Sequence, residues 1–400
     1  EIGVRLVGSE MCIRDRCCIM KVLKKLLYAI PLAGMIFASC TDVEKMEIEH
    51  IGGFNTMDNE ESEAYYAELR AYKETARNYG RPVAFGWFSN WAPSGAIRKG
   101  YLTSVPDSMD IISMWSGAPG RYEITEAQKK DKEFVQKVKG IKLLEVSLLS
   151  HLGKGRTPDW VYEEVEKQAE EEGWNESKLN EERKKARWNF WGYTSGNPEG
   201  ADMKEALAKY AKALCDSLFV SEWDGFDIDW EPGSGFNDQD GTLTHGSSYY
   251  GYPNIEFLIK EMGKYIGPKS DPEGKGHKLL VIDGHIEHLS AEIDEYVDYW
   301  ITQSYNHSTP DYRPQSGNLK KLIITENFES NATSGGRLLD QARWMPEDKT
   351  VCKGGVGAYR FDNDYSNTPD YKWMRQAIQI NQQVFNEWKA GQNGENTEGE

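Results

Sequence analysis

The chain has 400 residues, enough for one large domain or two medium ones with a sizeable core. Its formal net charge of −17 excludes partners that demand a basic surface, nucleic-acid backbones first among them. Aromatic residues make up 12% of the sequence, rich in Trp and Tyr, which serve core packing and sugar-stacking platforms alike.

Residues 1–19 lie upstream of a complete export signal. Val4 to Arg16 reads as translated sequencing adaptor, so this stretch is set aside from fold reasoning. Lys21, Lys24 and Lys25 precede an apolar run from Leu26 to Phe37, and Ala38-Ser39-Cys40 closes it. A basic start, a short apolar core and small residues make residues 20–39 a secretory signal, too short to span a bilayer comfortably. Phe37-Ala38-Ser39-Cys40 resembles a bacterial lipobox, in which Cys40 is lipidated; the alternative is a plain signal with an incidental cysteine. Residues 40–60 form a polar, acidic tether. Its acids after Cys40 resemble surface-export signals of Bacteroidetes lipoproteins, which implies an outer-membrane lipoprotein at the cell surface, with a periplasm-facing one as the alternative, touching the membrane only through its lipid anchor. Beyond Cys40 only Cys215 and Cys352 remain, and no spacing pattern supports a disulfide between them.

From residue 61 to 390, short apolar runs alternate with helical patterns. Strands are predicted at 82–87, 109–115, 141–149, 225–231, 278–283, 299–305, 322–325 and 355–359. Helical periodicity covers 125–138, 201–219, 254–265 and 371–387. Eight strand–helix alternations in one composition regime predict an α/β fold, a single (β/α)8 TIM barrel. Residues 391–400, rich in Gly, Asn and Glu, read as a disordered tail. Polar and aromatic residues collect at the C-terminal strand ends, where barrel active sites lie: Trp87, Trp115, Asp283, Gln303 and Tyr359 among them. A helical insertion, 153–200, follows strand 3. Its charged part, 158–187, reads as a solvated face. Trp188, Trp191 and Tyr193 at its end either stack on a glycan or glue the insertion to the barrel.

The fourth strand carries the sharpest signal. In Trp223-Asp224-Gly225-Phe226-Asp227-Ile228-Asp229-Trp230-Glu231, the carboxylates Asp227, Asp229 and Glu231 alternate with Phe226, Ile228 and Trp230. Period two puts the acids on one face and the apolar groups on the other. Three carboxylates this close cannot all ionise cheaply, so at least one holds its proton near neutral pH, as a general acid must. Strict alternation on one strand wraps a metal poorly, which argues against a cation site.

Asp224 to Glu231 matches the D-G-x-D-x-D-x-E signature of glycoside hydrolase family 18, which includes chitinases and endo-β-N-acetylglucosaminidases. The resemblance implies a retaining mechanism in which the substrate's own 2-acetamido group attacks C1, outside the usual two-carboxylate scheme. It implies Glu231 as general acid and base, Asp229 as the group that orients the acetamide, and Asp227 as its proton-sharing partner. Gln303-Ser304-Tyr305-Asn306 ends strand 6, with Gln303 and Tyr305 on one face by period two. The resemblance implies that Tyr305 hydrogen-bonds the acetamide and that Gln303 and Asn306 hold the sugar. Tyr359, where many chitinases have Trp, is the expected floor under the reacting sugar. Trp87, Trp115 and Trp191 complete the expected binding set. Strand 3 departs from the chitinase S-x-G-G pattern, with Ser147-Leu148-Leu149-Ser150.

His245, His285, His288 and His307 form no close pair with metal-ligand spacing, so neither a metal nor an organic cofactor is expected. The stretch from Thr325 to Gly355 is about thirty residues, ordinary for a barrel and shorter than in deep-cleft chitinases. A shallow site suits branched N-glycans cut between their two core N-acetylglucosamines, by a monomeric enzyme. A chitooligosaccharide hydrolase is the rival within the class. A non-catalytic glycan-binding lipoprotein is the rival outside it, disfavoured by the intact acids.

Overall fold

A computed structural model describes residues 61–95, 97–115, 123–233, 240–246 and 251–395. The export signal, Cys40 and the tether lie outside the described residues. Eight parallel strands close into a barrel in sequence order. They are β1 (Val83–Phe88), β2 (Ile111–Met114), β3 (Lys142–Leu148), β4 (Gly225–Trp230), β5 (Leu279–Gly284), β6 (Tyr299–Thr302), β7 (Leu322–Asn327) and β8 (Gly355–Tyr359). The last strand pairs with the first, Val83 opposite Gly355. The single (β/α)8 barrel predicted from the alternation is the fold.

Two apolar layers hold it. Alternate strand residues such as Phe85, Trp87, Leu144, Val281, Ile301 and Ile323 fill the barrel interior. The opposite faces, including Phe226, Ile228 and Trp230, pack outward against the helices. The helices before the insertion are α1 (Glu63–Glu74) and α2 (Glu126–Glu133), the latter running into a π turn, Phe134–Val138. Thr125 and Gln128 start α2 with a reciprocal capping box that satisfies two otherwise orphaned N–H groups.

The insertion after β3 is two helices, α3 (Trp160–Glu172) and α4 (Glu176–Trp191), rather than one charged stretch. Gly173 ends α3 in the left-handed conformation that glycine adopts without a Cβ penalty, and the Asn175 side chain caps the start of α4. Next, α5 (Ala201–Val220) buries Met203, Ala206, Leu207, Tyr210, Leu214 and Leu218, a stripe at helical spacing. Full burial of each such leucine stabilises by ~1.5–3 kcal/mol.

After β4 comes α6 (Pro253–Met262). Among the described residues the crossovers after β5 and β6 are 3-10 turns, not α-helices: Ile286–His288, Ala291–Tyr296 and Leu319–Lys321. Between β7 and β8 lie α7 (Phe328–Asn331) and α8 (Leu338–Arg343). The final helix, α9 (Lys372–Glu395), continues into the stretch read from composition as a disordered tail. Its amphipathic face packs Met374, Ala377 and Ile378 into the core, and the helix propagates beyond those contacts.

Candidate active site

Strand β4 is buried along its whole length. Its first residue explains how closely it sits: a Cβ on Gly225 would lie 2.3 Å from the Leu279 carbonyl oxygen of β5, so only glycine permits this pairing. The register then sets Asp229 beside Asp283, and Asp227 beside Val281. Asp227, Asp229 and Asp283 are all buried.

Asp227 is anchored through one oxygen. Trp87 Nε1 donates to its Oδ2 at 2.9 Å and Ser113 Oγ donates to the same atom at 2.6 Å. Asp283 is held similarly, its Oδ1 accepting from Gln303 Nε2 at 2.8 Å. That leaves Asp227 Oδ1, Asp229 Oδ1 and Asp283 Oδ2 buried without a hydrogen-bond partner when all three groups are ionised. Orphaned oxygens in three adjacent carboxyls call for shared protons, which turn like-charge repulsion into hydrogen bonds.

The electrostatics agree. Burial pushes Asp227 up to about 6, against the lowering pull of its donors. Asp229 is raised well above the ordinary carboxylate range by burial, then by the charges of Glu231 and Asp227. Asp283 is raised by burial and by Asp229 and Asp227. The triad therefore keeps a proton to higher pH than isolated carboxylates would, and it titrates as a unit.

Glu231, half-buried, is the residue immediately beyond β4. Its charge reaches Asp229, Tyr305 and His285, since each is raised in part by it. The Tyr305 hydroxyl is held protonated by burial and by Asp283, Asp229 and Glu231. The Tyr305 ring stacks on Tyr359 at 6.2 Å, Tyr359 meets Trp115 edge-on at 5.3 Å, and Trp87 meets Tyr359 at 6.1 Å. An aromatic wall therefore flanks the carboxylates, and Trp115, 38% exposed, is its open end.

The structure thus brings together Glu231, Asp229, Asp227, Tyr305, Gln303, Trp87, Trp115 and Tyr359. It relocates some of them. β6 ends at Thr302, so Gln303 and Tyr305 lie in the loop beyond it and their shared location does not come from strand periodicity. Gln303 and Trp87 hold Asp283 and Asp227, behind the reacting face. Asn306 is exposed, with φ 66°; its N–H donates to Glu326 Oε1 at 3.0 Å and its Oδ1 accepts from Asn331 Nδ2, so its side chain braces the loop.

Trp191 is not a sugar platform. It is 4% exposed, donates to Thr157 Oγ1 at 2.9 Å, and packs on Phe190 and Tyr210. Trp188 donates to Asp240 Oδ2, which also pairs with Arg187 at 2.6 Å. These aromatics glue the insertion to the barrel: Trp191, Tyr193, Trp188 and Phe190 pack into or against the core.

Sequence reading passed over Ser113, whose role depends on cross-strand register, and it named Asp283 only as one of several polar strand ends. The histidine reading is corrected too. His285 is the non-helical N-cap (φ −84°, ψ 62°) of the 3-10 turn Ile286–His288, and the His285 and His288 rings both reach Glu287 Oε1, at 3.1 and 3.2 Å. Their ligand atoms lie within 4.8 Å of one another. A separate groove of about 730 Å³ opens at the opposite end of the barrel, lined by Lys73, Arg77 and Asp298 among others; it holds none of the active-site carboxylates.

The family model Glycoside hydrolase family 18, BT1044-like, matches residues 41–380. The chain belongs to glycoside hydrolase family 18. A selenomethionine BT1044 structure bearing a Glu-to-Gln substitution is 28% identical, with 82% of this chain and 96% of that chain covered and a TM-score of 0.62. An endo-β-N-acetylglucosaminidase from Cordyceps militaris, in complex with fucosyl-N-acetylglucosamine-Asn, is 17% identical over 80% of this chain and 97% of its own, at a TM-score of 0.50. Its apo form is 19% identical over the same shares, at 0.51. The Cordyceps likeness is one of fold. No curated protein matches the chain. As a family 18 glycoside hydrolase, the protein carries the family's acid signature on β4, at the C-terminal mouth of its barrel.

Proposed function

We propose that the protein is an endo-β-N-acetylglucosaminidase that cleaves the β1,4 bond between the two core N-acetylglucosamines of N-glycans. The observation that carries the chemistry is the buried trio Asp227, Asp229 and Asp283, each with one unpartnered oxygen, next to Glu231. In this reading Glu231 protonates the leaving glycosidic oxygen while the substrate's acetamide oxygen attacks C1. Anomeric configuration is retained through an oxazolinium ion, and Glu231 then takes a proton from the water that opens it. Asp229 holds the acetamide N–H and balances the positive charge that develops there. Asp227 and Asp283 supply or withdraw the shared proton as Asp229 changes state. The Tyr305 hydroxyl, kept protonated by its surroundings, donates to the acetamide oxygen. Preorganised groups of this kind act in a water-poor pocket where their fields are strong.

Support for the N-glycan substrate comes from the modest β7–β8 connection. It holds only α7 and α8, so no added domain walls the cleft on that side. The Cordyceps fold neighbour was solved with a fragment of an N-glycan core, fucosyl-N-acetylglucosamine-Asn. The lipobox at Cys40 supports an outer-membrane lipoprotein, positioned to meet glycoproteins outside the cell. Mass spectrometry of products from high-mannose and complex glycoproteins, with chitooligosaccharides in parallel, tests this. Release of glycans that keep one reducing-end N-acetylglucosamine is the expected result. Cleavage of chitooligosaccharides alone would assign a chitinase, and binding without turnover would assign a glycan-binding protein.

A further inference from the structure

At the lip of the barrel, one turn beyond β5, sits a cluster that the hydrolytic chemistry does not use. Gly284, with φ 93°, turns the chain sharply there, and His285 N donates to the Trp230 carbonyl at 2.8 Å. His285, the N-cap of the 3-10 turn that follows, and His288, its last residue, face the same carboxylate. His285 Nδ1 is 3.1 Å and His288 Nε2 3.2 Å from Glu287 Oε1. The other oxygen, Glu287 Oε2, is buried and has no hydrogen-bond partner. Tyr312 packs on His285 and Tyr252 on His288, which limits both rings' freedom.

We propose that His285, Glu287 and His288 form a binding site for a zinc-class divalent ion. Two imidazole nitrogens and one carboxylate oxygen suit a borderline ion; calcium and magnesium want oxygen ligands throughout. Tetrahedral zinc with bonds of ~2.0–2.1 Å sets its ligand atoms about 3.3 Å apart. The two nitrogen–oxygen separations are already close to that. The cation would sit against Glu287 Oε1, the oxygen that both imidazoles already face. Each histidine is about one-third exposed, so an ion has access from solvent and a coordination position stays open toward it. The site neighbours Glu231 without including it: a Cβ at Gly284 would lie 3.2 Å from Glu231 Cγ. A bound ion would tie down the β5 loop that walls the cleft, with no step of hydrolysis passing through it.

The test is a titration of the untagged, metal-stripped full chain with Co2+ near neutral pH, followed by visible absorption and then by displacement with Zn2+. One saturable equivalent with a tetrahedral or five-coordinate spectrum is expected. His288→Gln and Glu287→Gln should each weaken binding by at least the ~10–100-fold lost when even an outer partner of a metal site is removed. His245→Gln, at a histidine whose ring faces Glu199 and not Glu287, should leave binding unchanged. Mild acid should release the ion, because protons compete for both imidazoles. No saturable equivalent in the wild type at millimolar Co2+ would overturn the proposal, whatever the variants do. So would equal affinity in the wild type and in a His288→Gln protein that melts normally without metal.

Discussion

Asp227→Asn should make the protein more stable and nearly inactive at once. Burial raises the Asp227 carboxyl from 3.8 to about 6. Each pKa unit corresponds to ~1.4 kcal/mol of proton affinity, so this rise is worth ~3 kcal/mol. The sign follows from which state binds the proton more tightly. The folded chain does, so the stability this group contributes is complete below about 3.8 and is lost as pH rises through about 6. Above that range the native state holds a buried charge it resists. Asparagine is neutral at every pH and keeps the shape. Its carbonyl oxygen can accept from Trp87 and Ser113, and its amide can donate toward the unpartnered oxygens of Asp229 or Asp283. Urea denaturation from mildly acid to mildly alkaline pH measures the difference. The variant should gain up to ~3 kcal/mol at alkaline pH, and the gain should shrink as the pH falls through about 6. Turnover should drop by a factor on the order of 10²–10³, the usual cost of one preorganised electrostatic partner. A variant less stable than wild type at alkaline pH, or a gain that does not change with pH, would refute the reasoning about shared protons.

Glu231→Gln should abolish turnover while leaving glycan binding largely intact, because it removes the transferable proton and little volume; calorimetry beside a product assay checks both halves. Trp191→Ala should destabilise the protein by ~3–5 kcal/mol, as large-to-small core changes do, with KM unchanged for the folded enzyme; a raised KM at unchanged stability would return Trp191 to the binding surface. Cys40→Ala should release the protein from the membrane fraction, since the acylated cysteine is its only expected anchor; continued sedimentation with outer membrane would contradict the lipobox reading.

What the sequence made legible divides along a physical line. The eight strands were readable as short apolar runs and the acid face of β4 as a period-two pattern, each contained within one segment. Features that depend on two segments were not. The pairing of Asp229 with Asp283 needs the β4–β5 register, and the donation from Ser113 to Asp227 needs three strands placed side by side. Tyr305 was found with the wrong argument, since its strand stops at Thr302 and a loop delivers it. Trp191 was misplaced because a tryptophan near a site looks the same in sequence whether it faces a sugar or a neighbouring helix. The His285–Glu287–His288 cluster was missed because it depends on the backbone at one point: His285, with ψ 62°, precedes a short 3-10 turn that ends in His288, and sequence spacing does not show that bend.

The carboxylate stack also accounts for why the barrel around it is built as it is. Three buried acids destabilise the native state near neutral pH, so the surrounding structure must hold them together against repulsion. Closed parallel pairing on both flanks fixes β4 and β5, and a second row of donors, Trp87, Ser113 and Gln303, fixes the oxygens that do not share protons. None of these donors need touch the substrate. Each decides which oxygen of its carboxylate is free to carry a proton. Loss of the Ser113 hydroxyl would therefore leave the acids in place, with Trp87 still donating to Asp227 Oδ2 but the bias of the proton toward Oδ1 weakened. The strand supplies the charges, but the neighbouring strands determine which of them can act as acids.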